Sequence, residues 1–247
     1  MISAIAMKEL RLMFASPLAW VILAFLQFIF ALVFFSRLQT FLDVQPQLAM
    51  APNAPGLTEI IAAPVFGTAA IVLLMVTPLL SMRLVAEERR SQTLPFLMSA
   101  PVSITQIVLG KFLALLLFLL LGVVLIVVMC LSLYAGGTLD LGLLGTNALG
   151  LLLLCGSFAA VGLYLSCLTA QPLVAAVGTF AALLTLWLIN ISTTDPNSVL
   201  HVVSIITHFE SFSRGVLAVK DLAYYALLIL VFVLLSIRRL DADRLRA

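Results

Sequence analysis

The stretch FLALLLFLLLGVVLIVVMCLSLY, residues 112–134, carries no charged side chain from end to end. As a helix rising 1.5 Å per residue it reaches about 34 Å, enough to cross roughly 30 Å of hydrocarbon. It does not alternate as a barrel strand would, and a backbone facing lipid must satisfy its own hydrogen bonds. Helix is the state it demands.

Working outward, five more runs read the same way: Leu18 to Ser36, Ile60 to Met82, Leu141 to Leu168, Pro172 to Ile191 and Leu222 to Ile237. None contains Asp, Glu, Lys, Arg or His, so each inserts at low cost. Composition agrees. The 247 residues are 64% hydrophobic and 10% charged, with mean hydropathy +1.25. A water-soluble globule carries about a quarter charged residues to cover its surface. The expected fold class is all-α: a polytopic membrane protein of six transmembrane helices, forming one domain over residues 1–247.

Lys8, Glu9 and Arg11 sit where a signal peptide would have its apolar core, so the N-terminus reads as retained. At helical spacing Ala6, Leu10, Met13 and Phe14 share one face, and Lys8, Glu9 and Arg11 the other. That pattern suits an interfacial helix over residues 1–16, lying among lipid headgroups. Ser16-Pro17 then supplies a cap and a first-turn proline for the first span.

Basic residues orient the chain. With both termini cytoplasmic, Lys8, Arg11, Arg83, Arg89, Arg90, Lys111, Arg238, Arg239, Arg244 and Arg246 fall inside, against Arg37, Arg214 and Lys220 outside. An even number of spans is then required, and the cell inner membrane is the expected location.

In this topology EERRSQTLPFLMSAPVSITQIVLGK, residues 87–111, lies in a cytoplasmic hairpin over residues 83–111. Glu87, Glu88, Arg89 and Arg90 continue the second span, Pro95 and Pro101 interrupt the helix, and Ser103 opens another towards Lys111. The expectation is a short helix at the tip of this hairpin. Charge alone makes it equally a solvated connector.

This segment resembles the cytoplasmic signature of type-2 ABC exporter permeases on Thr93, Leu94, Leu97, Ser99, Pro101, Val102, Ser103, Val108, Leu109, Gly110 and Lys111. It departs at Gln92, where glycine is common, and at Pro95, where an acid is common. KELRLMFASPLAW, residues 8–20, and HFESFSRGVLAVKDLAYY, residues 208–225, are similar to the gliding-motility and nitrous-oxide-reductase-maturation branch of that family. The resemblance implies a permease that pairs with a second copy or a homologue and docks on cytoplasmic ABC ATPase subunits. ATP and Mg would be bound by those subunits. Coupling would run through Glu87, Glu88, Arg89, Arg90, Ser103, Ile104, Thr105 and Gln106, with Lys8 and Arg11 anchoring the interfacial helix. The chain itself binds no cofactor in this reading and is not an enzyme, since Gly110-Lys111 leads into Phe112 without the glycine spacing of a phosphate loop.

Residues 195–221 are too apolar for an ordinary loop, yet His208, Glu210 and Arg214 interrupt them before they could span. They read as an outer re-entrant hairpin, with His208, Glu210 and Arg214 as gate candidates; an interfacial helix that merely caps the bundle has the same pattern. Glu210 and Arg214 lie one turn apart and can pair. His201 and His208 alone fall short of the ligands a metal needs. Cys130, Cys155 and Cys167 lie within spans, as small hydrophobes. Gly162 with Ser166 and Gly178 with Ala182 form small-xxx-small pairs, and Gln27, Asn147 and Asn190 can bond across helices. Residues Gln39 to Glu59 resemble a flexible linker and a docking point for an extracytoplasmic accessory protein. Membrane lipid is the remaining partner expected; nucleic acid is not. Two other readings stand beside export: a mechanotransmission subunit that drives an outer partner without cargo, and an ion-coupled secondary transporter.

Overall fold

The first element, α1 (Ile2–Ala15), stops at Ser16, whose extended backbone (φ −86°, ψ 132°) breaks the helix. The Ser16 hydroxyl accepts from Leu18 N at 3.3 Å, and Pro17 opens α2 (Pro17–Leu48), as the Ser-Pro pair implies. The computed structural model describes residues 1–48, 56–93, 102–135, 138–189 and 203–244, and their regular structure is entirely helical.

α2 runs on beyond Ser36, so the expected linker does not begin at Gln39. No helix breaker occurs before Pro46, and Arg37 and Asp43 ride on the exposed side, so nothing ends the helix earlier. Pro52 and Pro55 lie outside the described residues. A π-helical turn, Thr58–Ala62, leads into α3 (Ala63–Ser81). Pro78 cannot donate to the carbonyl one turn back, and the helix gives way to turns at 82–85 before α4 (Ala86–Arg90). The second span therefore does not continue unbroken into Glu87–Arg90.

α5 (Ile104–Leu131) starts with a capping box in which Gln106 N donates to Ser103 Oγ at 3.3 Å and Ser103 N to Gln106 Oε1 at 3.4 Å. Helix continues from there to Leu131 and closes in a 3-10 turn, Ser132–Ala135. The short separate helix expected around Ser103 to Val108 is thus the first turns of α5, because nothing after the cap interrupts it. α6 (Leu141–Leu168) is capped by Asp140, whose carboxylate accepts from Gly142 N and Leu143 N at 2.9 and 3.1 Å. α7 (Pro172–Leu188), α8 (Ile205–Ser213) and α9 (Val219–Arg244) complete the order.

Five of the described helical segments are long and apolar enough to cross a membrane: Pro17–Pro46, Thr58–Arg90, Ile104–Ala135, Leu141–Leu168 and Val219–Arg244. α7, with 17 residues, is a shorter apolar helix. The chain is an all-α polytopic membrane protein.

α6 is the axis of the bundle and packs against α3, α5, α7, α8 and α9. Small residues permit this. A Cβ at Gly162 would stand 2.6 Å from Ser81 Oγ, so α3 and α6 approach to a distance only glycine allows. Gly178 has nothing within 4 Å of such a Cβ, so its pair with Ala182 draws no helix of this chain close. The amides do not link helices either. Asn147 Nδ2 donates to Leu143 O of its own helix at 2.8 Å, and Gln27 Oε1 has no partner among the described residues. The carbonyl one turn back is the nearer acceptor. Asn190 lies outside the described residues.

Candidate coupling site at the charged end of the bundle

Glu9, on α1, is buried at 8% exposure, although the periodicity puts it with Lys8 and Arg11 on the polar face. Lys111, in the second turn of α5, is 1% exposed, and its ammonium reaches Glu9 Oε1 at 3.2 Å and Glu88 Oε1 at 2.7 Å. A buried ammonium holds its charge at low cost only when opposite charges surround it, and these carboxylates come from two other elements. The attraction explains why Glu9 turns inward. Lys8 adds a longer contact to the same Glu9 oxygen, at 3.5 Å, and stays mostly in solvent.

Gly110 makes the approach possible. A Cβ there would lie 2.6 Å from Ile5 Cγ2, so α1 rests directly on the α5 backbone at the Gly110-Lys111 pair. Further along, the rings of Phe14 and Phe118 pack 5.5 Å apart. α1 thus lies along the start of α5, with Ala6 buried and Ile5, Leu10, Met13 and Phe14 half-buried.

The neighbouring turn of α4 is anchored from α6. Ser166 Oγ accepts from Val85 N at 3.2 Å and from Ala86 N at 3.1 Å, which caps α4 with a side chain eighty positions away in the chain. Arg89 Nη2 donates to Cys167 O at 2.9 Å and to Asp243 Oδ2 at 2.5 Å, fastening α4 to α6 and to the far end of α9. Arg239 lies 3.7 Å from the other Asp243 oxygen. The N-terminal helix and the end of the last helix therefore meet at one end of the bundle.

Of the coupling residues expected from the sequence, Glu88 and Arg89 are taken up by these contacts inside the chain, and Ser103 and Gln106 by the capping box. Ile104 is buried, at 7% exposure. Glu87, Arg90 and Thr105 remain exposed, and Glu87 has only a 4.0 Å contact with Arg83. Pro95 and Pro101 lie outside the described residues. Gln92 takes φ +56°, the left-handed region that favours glycine, so the glycine common at this place in the resembling permeases has a conformational reason.

The opposite end holds a second polar cluster. His208 Nδ1 lies 2.6 Å from Asp221 Oδ1, its ring stacks on Tyr224 at 4.0 Å, and Asp221 is 1% exposed. Tyr224 OH donates to Val203 O at 2.6 Å and Tyr225 OH to Ile205 O at 3.0 Å, which ties α8 to α9. Glu210 and Arg214 pair at 3.5 Å on the exposed side of α8, so the three gate candidates do not form one group. Asp221 is not among the gate candidates because it stands at the very end of residues 195–221, directly before the last apolar run, and nothing in the local pattern pairs it with His208. His201 and residues 195–202 lie outside the described residues; among those described, no group of three His, Cys, Asp or Glu gathers as a metal site.

The profile of a family described as ABC-2 family transporter protein matches residues 3–245, nearly the whole chain. The chain belongs to that family. No curated protein matches it. As an ABC-2 family protein it is a multi-pass, all-helical membrane permease without a nucleotide-binding motif of its own, and Glu88, Arg89 and Lys111 at the charged end lie in the segment noted above for its resemblance.

Proposed function

We propose that this ABC-2 permease is the transmembrane subunit of an ATP-driven exporter in the inner membrane, with its charged end cytoplasmic and docked on a separate ABC ATPase. The observation that carries the reading is the Lys111 junction, where α1, α4 and α5 share one buried cation. A displacement pressed on the exposed residues of α4 by an ATPase passes to α1 and α5 through Glu88 and to α6 and α9 through Arg89. Glu87, Arg90 and Thr105 are then the contact surface, and the paired residues behind it are the transmitter.

The same reading takes the chain to cross six times. α6 ends and α7 begins beside α4 at the charged end, and α7 spans about 26 Å at 1.5 Å per residue, close to the hydrocarbon thickness. With both ends of the chain on one side, an even number of crossings is required. A second permease copy or a homologue completes the path for cargo, and the carriage of ATP and Mg falls to the ATPase.

The test is ATP hydrolysis and cargo movement in proteoliposomes holding permease and ATPase together. Glu87→Lys combined with Arg90→Glu should uncouple hydrolysis from the permease by roughly tenfold, the worth of one or two charged contacts at an interface, while insertion stays intact. Unchanged coupling removes this surface from the contact. Transport driven by an ion gradient with no ATPase present would overturn the reading altogether.

A further inference from the structure

Beside the Lys111 junction, a cavity of about 290 Å³ opens between α1, the start of α2 and the α3–α4 corner. Its walls divide by chemistry. Leu12, Met13, Leu80 and Leu84 line one part, and Glu9, Glu87, Glu88 and Arg83 the other. Glu9 is buried, and both its lysine contacts use Oε1. Glu88 Oε1 holds Lys111, while its Oε2 is buried without a partner among the described residues. A buried carboxylate oxygen left unpaired is costly, and a donor entering the cavity would relieve it.

We propose that this cavity binds the headgroup of an aminophospholipid from the adjoining leaflet, phosphatidylethanolamine being the fitting case. A primary ammonium carries three N–H donors, and the unpaired Glu88 Oε2 and the carboxylates of Glu9 and Glu87 line the cavity as acceptors. The phosphate pairs with Arg83, whose guanidinium has only the 4.0 Å contact with Glu87 among the described residues. The zwitterion suits the local charge, since three carboxylates are already offset by Arg83, Lys111 and Lys8. The leucine and methionine wall receives the first carbons of the acyl chains, something the basic side chain of a protein partner would not need. The position suits a lipid as well: the cavity lies at the Ser16–Pro17 corner, where the chain turns into its first membrane-crossing helix.

The experiment loads the full-length chain into vesicles of equal phosphatidylethanolamine, phosphatidylcholine and phosphatidylglycerol, extracts it in mild detergent, and counts retained lipids by native mass spectrometry. Phosphatidylethanolamine should exceed phosphatidylcholine, which has no N–H donors, by about tenfold, the worth of one charge-assisted hydrogen bond. Glu87→Gln, at an exposed position, should cut that preference severalfold. Leu12→Trp should abolish it by filling the cavity without altering charge. Equal retention of the three lipids, a preference for phosphatidylglycerol, or a phosphatidylethanolamine preference indifferent to both substitutions overturns the proposal.

Discussion

Lys111 carries more of this molecule's organisation than any other single side chain. Its ammonium, 1% exposed, is held by two carboxylates from elements that precede it by 102 and 23 positions. Replacing it by methionine keeps the packing volume but strands both acids in a buried setting, a loss of about 3–5 kcal/mol. Thermal unfolding in detergent should show Lys111→Met well below the parent, with Glu9→Gln combined with Lys111→Met recovering part of the difference. Gln92 offers a change in the other direction. Left-handed backbone costs a residue with a Cβ about 1–2 kcal/mol, and glycine's extra unfolded-state entropy returns roughly 0.5–1, so Gln92→Gly should stabilise by about 0.5–1 kcal/mol. The same melting assay reads it. By comparison, the exposed Glu210–Arg214 pair contributes under about 1 kcal/mol.

Among elements, α6 shows how a helix with no charged side chain acquires specific neighbours. In lipid the hydrophobic effect does not drive helices together, so close van der Waals contact has to do so, and that depends on where side chains are missing. Gly162→Leu should force α3 from α6 at Ser81 and cost about 1–3 kcal/mol or more, whereas Gly178→Leu, facing open space in this chain, should leave the melting of the fold nearly unchanged. Equal effects at the two positions would mean that α3 and α6 are not held by close approach. The end of α3 carries a related lesson. Pro78 in the span marks a weakness, but the place where the chain turns, and the hydroxyl that caps the new helix, come from Ser166 on another element. No local pattern around residues 82–90 contains that information.

At the scale of the whole molecule, α1 and the end of α9 are linked through Glu9, Lys111, Glu88, Arg89 and Asp243, and the proposed topology puts both chain ends on one side of the membrane. Single cysteines at Met1 and Asp241 in a variant lacking Cys130, Cys155 and Cys167 should react with a membrane-impermeant maleimide from the same side only. A cysteine at Thr138, next to the α6 cap, should react from the other side. Labelling of the two ends from opposite sides would break the bundle described here, because the junction could not form.

Fold class, five apolar helices long enough to cross a membrane and the ABC-2 family were legible in the sequence, because exclusion of charge from hydrocarbon is a local property written position by position. The Ser-Pro break after α1 and the Ser103 cap were legible for the same reason: a cap and its helix are near neighbours in the chain. Tertiary structure alone decided that Glu9 faces inward, that Glu88 and Arg89 serve the bundle before any partner, and that Asp221 meets His208. A buried charge takes its partner from whatever helix the packing brings within about 3 Å, and that distance is set by the close approaches at Gly110 and along α6, not by spacing in the sequence.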